Sequence, residues 1–142
     1  MDKNSITYEL ILADNHALFG KCLRKILEGR PRLRVVGEAS DHVGLLNLLK
    51  ETYSRVILID LSLPDLQLFN AVSEIKRSHP DMKVLIMGID REEEYLLHAF
   101  AAGADGYILK DEVNEELISA IENIIGGGKY APPSLRPVSI RP

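Results

Sequence analysis

Asp14, Asp60 and Lys110 each stand at the end of an apolar run: Tyr8–Ala13, Val56–Ile59 and Tyr107–Leu109. A lone aspartate after a strand is commonly a turn former or helix cap. Two carboxylates and a lysine at three separate strand ends point instead to one shared site. Clustered carboxylates repel, and a hard cation relieves that repulsion; Mg²⁺ favours such oxygen ligands and keeps several waters. A lysine ammonium beside them can neutralise a transferred phosphoryl group. Asn15, next to Asp14, offers an amide oxygen to the same cation, and is equally suited to cap the helix that follows.

The elements around these residues alternate. Tyr8–Ala13 reads as a strand, and Ala17–Glu28 has helical spacing through Phe19, Leu23 and Ile26 until Gly29 stops it. Leu33–Gly37 is a second strand, and Asp41–Thr52 a helix capped by Ser40 or Asp41. Val56–Asp60 is an apolar run of the kind buried on both faces of a sheet. Pro64 turns the chain out, Leu66–Ser78 forms a third helix, and Lys83–Met87 a fourth strand. Glu92, Glu93 and Glu94 occupy the first turn of a helix ended by Gly103, where the dipole favours acids. Tyr107–Leu109 is a fifth strand. Asn114 is expected to cap a last helix carrying Leu117, Ile121 and Ile124 on one face. Repeated β–α units predict an α/β fold: a doubly wound, five-stranded parallel sheet, flavodoxin-like, in the order 2-1-3-4-5. Ligands in such sheets bind beyond the carboxyl ends of the strands. Chemistry is therefore expected after Ala13, Ile59, Met87 and Leu109.

Composition is that of an ordinary globular domain, with 46% hydrophobic and 27% charged residues in a chain of 142. Cys22 is the single cysteine, so no internal disulfide forms. The short apolar run near the N-terminus is broken by Glu9 and Asp14, which excludes a signal-peptide core or a membrane span and predicts a cytoplasmic protein. A net charge of −4 argues against a nucleic-acid surface as the main feature. Residues 126–142 hold four of the seven prolines and read as a linker or tail. The expected division is a domain over 1–128 and a basic, proline-rich segment over 129–142.

The stretches ILADNHALFGKCLRKIL, VVGEAS, VILIDLSLPD, HPDMKVLIMG, EEYLLHAFAAGADGYILKDE and GGGKY closely resemble receiver domains of two-component response regulators. The similarity is best to the NarL/FixJ group, which usually carries a LuxR-type DNA-binding domain. By this resemblance Asp60 is the phosphoacceptor, attacking the phosphohistidine of a sensor histidine kinase to give an acyl phosphate. Asp14 and Asn15 match the acidic pair that holds Mg²⁺, and Ser62 would offer its backbone carbonyl to the metal. Pro64 matches the loop proline, Lys110 the lysine that contacts the phosphoryl group, and Tyr107 the aromatic switch. The resemblance implies a regulator and not an enzyme, acting as a homodimer. DNA is expected to be reached only through an output domain outside these residues, and no membrane contact is expected.

Three positions depart from the family pattern. Asn15 removes a negative charge from the metal site, so Mg²⁺ should bind more weakly. Gly88 stands where the family has Thr or Ser, removing a hydroxyl that would bond the phosphoryl group. Asp65 and Leu68 replace glycines in the loop after Asp60. An alternative follows: a phosphorylation-independent pseudo-receiver serving as a dimerisation or protein-binding module. Its candidate faces carry Ile118, Ile121 and Ile125, or Leu96, Leu97 and Phe100. A minor alternative is a cobalamin-binding domain, because Asp14–Gly20 resembles a D-x-H-x-x-G loop with Phe19 at the required glycine. His16, His42, His79 and His98 lack metal-ligand spacing; His16 is read chiefly as part of a helix N-terminus.

Overall fold

A computed structural model describes residues 6–63 and 67–135. Five parallel strands, β1 (Tyr8–Ala13), β2 (Leu33–Ala39), β3 (Val56–Asp60), β4 (Lys83–Gly88) and β5 (Gly106–Leu109), lie in the order β2-β1-β3-β4-β5. The helices between and after them are α1 (Ala17–Glu28), α2 (His42–Glu51), α3 (Leu68–Ser78), α4 (Glu93–Ala101) and α5 (Val113–Ile125).

The two-residue period of the strands sorts the core into two layers. Ile11, Ile57, Ile59, Val84, Ile86 and Tyr107 point to the face covered by α2, α3 and α4. Leu10, Leu12, Leu58, Leu85, Met87 and Ile108 point to the face covered by α1 and α5. Every residue of β3 is buried, as a strand with apolar partners on both sides requires.

Most element ends fall where the sequence places them. Asp41 caps α2, its carboxylate accepting from the Gly44 amide at 2.7 Å. Gly103 ends α4 with φ of 112°, a left-handed value that glycine adopts without steric cost. Three readings need correction. The α1 N-cap position is held by His16 and not by Asn15. α3 begins at Leu68 behind Gln67, not at Leu66, which lies outside the described residues with Pro64 and Asp65. Asn114 does not cap α5. The chain leaves β5 through a 3₁₀ turn, Lys110–Glu112, that runs straight into the helix and leaves Glu112 at the cap. Leu68 adopts helical backbone at the head of α3, so its position demands no left-handed turn.

The segment expected as a linker begins as part of the sheet. Tyr130 bridges Gly106 in parallel, its carbonyl accepts from the Tyr107 amide at 2.9 Å, and its own amide donates to Asp105 at 3.0 Å. Its ring is buried and its hydroxyl bonds the Glu116 carboxylate; Ala131 is fully buried. Tyr130→Ala should therefore cost about 3 kcal/mol of stability, the scale of deleting a buried aromatic ring. Urea unfolding would show a lower midpoint, whereas an unchanged midpoint would mean the segment only rests on β5.

Candidate functional site: an acidic pocket at the carboxyl edge of the sheet

Strand register brings the distant polar residues to one level. Ala13 lies beside Ile59, so Asp14 follows next to Asp60; Gly88 lies beside Leu109, so Lys110 follows at the same edge. Lys110 sits two strands away from Asp60, and its long stem reaches back across β4.

Asp60 has no solvent-exposed surface. Its Oδ1 accepts from the Ser62 amide at 3.0 Å and from Lys110 Nζ at 3.1 Å, and its Oδ2 accepts from the same ammonium at 3.0 Å. Burial alone would push this carboxyl up. The Ser62 amide and the Lys110 ammonium outweigh it and hold Asp60 below the usual carboxylate range. Lys110 Nζ also lies 4.5 Å from the centre of the Phe19 ring, which supplies a π face and keeps water from one side of the ammonium.

Asp14 is pushed the other way, above the usual range, by burial and then by the neighbouring Asp60, although the His16 amide bonded to its Oδ1 at 3.0 Å opposes this. Gly20 leaves room for it: a Cβ there would lie 2.6 Å from Asp14 Oδ2. Two carboxyls pressed together thus differ in environment, with Asp60 holding the cation and Asp14 without one.

The structure brings together Asp14, Asp60, Lys110 and the backbone of Ser62. It leaves Asn15 exposed at the rim. Gly88 lies at the end of β4, but the space above it is filled. A Cβ built there would fall 2.3 Å from Leu61 Cδ1 and 2.7 Å from the Tyr107 hydroxyl. Tyr107 is wholly buried, donates to the Asp90 carbonyl at 2.8 Å, and meets Tyr95 edge-on at 5.9 Å. Burial pushes its phenol far above the ordinary tyrosine range, so it remains a neutral donor.

His16 is the site residue that spacing did not single out. Its Nδ1 lies 3.4 Å from Asp60 Oδ2, 3.1 Å from Lys110 Nζ and 3.3 Å from Ser62 Oγ. Its backbone holds the N-cap position of α1, but its side chain makes no cap bond and turns into the pocket instead. The signal was its place two residues after Asp14, at the joint between β1 and α1. Asp14, His16 and Asp60 can each offer one donor atom, all within 4.8 Å of one another. Two carboxylates so placed fit a divalent cation. With Asp60 chelated by an ammonium, the arrangement presents an ionised, water-shielded nucleophile with its counter-charge in place.

A sequence profile described as the response regulator receiver domain matches residues 10–122. The chain belongs to this family. Receiver domains generally bind Mg²⁺ at an acidic pocket, and this chain brings Asp14, His16 and Asp60 together at the carboxyl edge of its sheet. The transcriptional regulatory protein DegU of Brevibacillus brevis is 30% identical over 132 residues, which are 93% of this chain and 56% of that protein. A LuxR-family two-component response regulator from Aurantimonas is 32% identical, with a TM-score of 0.84 covering 91% of this chain and 92% of that one. RcsB of Salmonella enterica serovar Typhimurium, solved bound to promoter DNA with the phosphomimetic BeF₃⁻, is 26% identical with a TM-score of 0.81, covering 91% and 64%. These similarities support the NarL/FixJ group of receivers. The relatives are transcriptional response regulators. This receiver spans about half the length of the curated relatives it matches. No helix among the described residues is long and apolar enough to cross a membrane.

Proposed function

We propose that Asp60 accepts a phosphoryl group from a sensor histidine kinase and thereby switches a DNA-binding output domain that these residues do not include. The observation that carries this reading is the buried Asp60 carboxylate gripped through both oxygens by Lys110. In the transfer, Asp60 Oδ2 attacks phosphorus, the phosphorus–nitrogen bond of the phosphohistidine breaks, and the imidazole leaves with the bond's electron pair. Lys110 then holds the new phosphoryl charge in place of the carboxylate charge it neutralises now. Asp14, Asp60, the Asn15 amide and the Ser62 carbonyl would hold Mg²⁺, which supplies charge neutralisation at the transferred group. Asn15 makes this cation site weaker than a three-carboxylate one. Access to Asp60 requires Lys110 and His16 to swing outward, because the carboxylate is sealed beneath them. Leu18 and Ile89, both largely exposed, follow the ends of β1 and β4 and give a partner apolar footing beside the pocket. The protein works in the cytoplasm, and the active form is a homodimer.

The filled space over Gly88 favours a second reading, in which Tyr107 is held inward without phosphate and the domain acts as a constitutive binding module. Incubation with acetyl phosphate and Mg²⁺ separates the two. Slow, hydroxylamine-labile incorporation of one phosphoryl group, absent from Asp60→Asn, is the expected result. Wild-type protein that takes up no label under saturating donor, while forming the same dimer with and without BeF₃⁻, hands the site to the second reading.

A further inference from the structure

The pocket contains one donor that a hard-ion site does not need, the imidazole of His16. We infer that His16 is itself a metal ligand and that the pocket prefers a divalent transition ion able to take a nitrogen donor over Mg²⁺; this rests on the reading of the pocket as the receiver's cation site.

The ring is oriented for it. Lys110 Nζ lies 3.1 Å from His16 Nδ1, and an ammonium has only donors. Nδ1 must therefore present its lone pair, which puts the ring proton on Nε2, away from Asp60. That lone pair already faces a cation: the Lys110 ammonium sits in a cradle made by Asp60 Oδ1, Asp60 Oδ2 and His16 Nδ1, at 3.0–3.1 Å from each. The 3.4 Å between His16 Nδ1 and Asp60 Oδ2 is the spacing of adjacent donors about an ion whose bonds are about 2.1 Å long. Asp14 closes the group, with all three donor atoms within 4.8 Å of one another.

The donor set explains the direction of the preference. Asn15 is neutral and exposed, so the charge that attracts a hard ion is reduced to two carboxylates, one already paired with Lys110. Mg²⁺ affinity follows carboxylate charge, whereas Co²⁺, Ni²⁺ and Zn²⁺ gain from imidazole, the commoner ligand for borderline ions. The ring is held rather than free. Its backbone amide bonds Asp14 Oδ1 at 3.0 Å, and Ser62 Oγ lies 3.3 Å from Nδ1. A bound ion takes over the lone pair now facing Lys110, leaving the ammonium to Asp60.

The test is Co²⁺ and Mg²⁺ titration of the full chain, followed by visible absorption, calorimetry and proton NMR. His16→Ser serves as the variant because serine keeps a good residue at the α1 N-cap. Wild type should bind one equivalent of Co²⁺ and show an exchangeable, far-shifted imidazole N–H resonance. In His16→Ser that resonance should vanish and Co²⁺ affinity fall by at least about tenfold, the scale of disturbing a metal's ligand set. Mg²⁺ affinity should change by less than about threefold, since it depends on the carboxylates. Equal weakening of both ions, or Co²⁺ binding that survives both His16→Ser and Asp60→Asn, overturns the inference. Asp60 labelling with excess Mg²⁺ is scored separately. Label retained while Co²⁺ binding ignores His16 sinks the ligand assignment alone. A wild type that takes no label sinks the phosphoacceptor reading, and the Co²⁺ comparison then decides the metal site by itself.

Discussion

Lys110→Met is expected to lower stability by about 3 kcal/mol, the scale of stripping one partner from a buried ion pair. Asp60 would keep the Ser62 amide but lose both bonds to the ammonium, with Asp14 still beside it. Asp60→Asn on the same background should recover most of the loss, because no unpaired charge then remains. A double-mutant cycle by urea unfolding reads the coupling directly. The pH dependence has a definite sign. In the wild type Asp60 titrates below its unfolded value, so its contribution is present above the ordinary aspartate range and is lost as pH falls through its folded value. In Lys110→Met the ammonium no longer helps the Ser62 amide oppose burial, so the folded value of Asp60 moves back up and the stabilisation it gives above that value shrinks. Lys110→Met as stable as wild type at neutral pH would mean that water, and not the ammonium, satisfies Asp60. Phosphoryl labelling should fall together with stability in this variant, since the same nitrogen serves both.

Gly88→Thr should destabilise by about 1–3 kcal/mol, the range for forcing extra atoms into a packed site. On sequence grounds this substitution restores a family hydroxyl. In the folded chain its Cβ meets Leu61 and the Tyr107 hydroxyl at once. Leu61→Ala in the same chain should return most of the lost stability and open the place a hydroxyl needs. Labelling of Asp60 is accordingly expected to rise in the double variant and not in Gly88→Thr alone. A single Gly88→Thr variant that unfolds at the wild-type midpoint would show that Leu61 rotates away without cost and that Tyr107 is not wedged. Adding Asn15→Asp then tests the metal side separately, because Asn15 is exposed and follows the end of β1, whereas Gly88 ends β4.

What the sequence determined by itself was the frame. Strand and helix periods depend on residues near one another, so β1, α1, β3 and α2 could be read from local pattern, with Asp41 as cap. Apolar β3 in the middle, with polar residues at strand ends, also specified which edge would carry Asp14, Asp60 and Lys110. Only the tertiary structure decided the rest. His16 enters the pocket because the chain holds it extended at the N-cap of α1 with its ring 3.4 Å from Asp60, and no spacing rule contains that placement. Leu61 fills the space over Gly88 because a missing side chain leaves a volume that packing does not tolerate empty. Tyr130 joins β5 because an unpaired strand edge accepts any backbone that passes alongside it, whatever the prolines further along suggest.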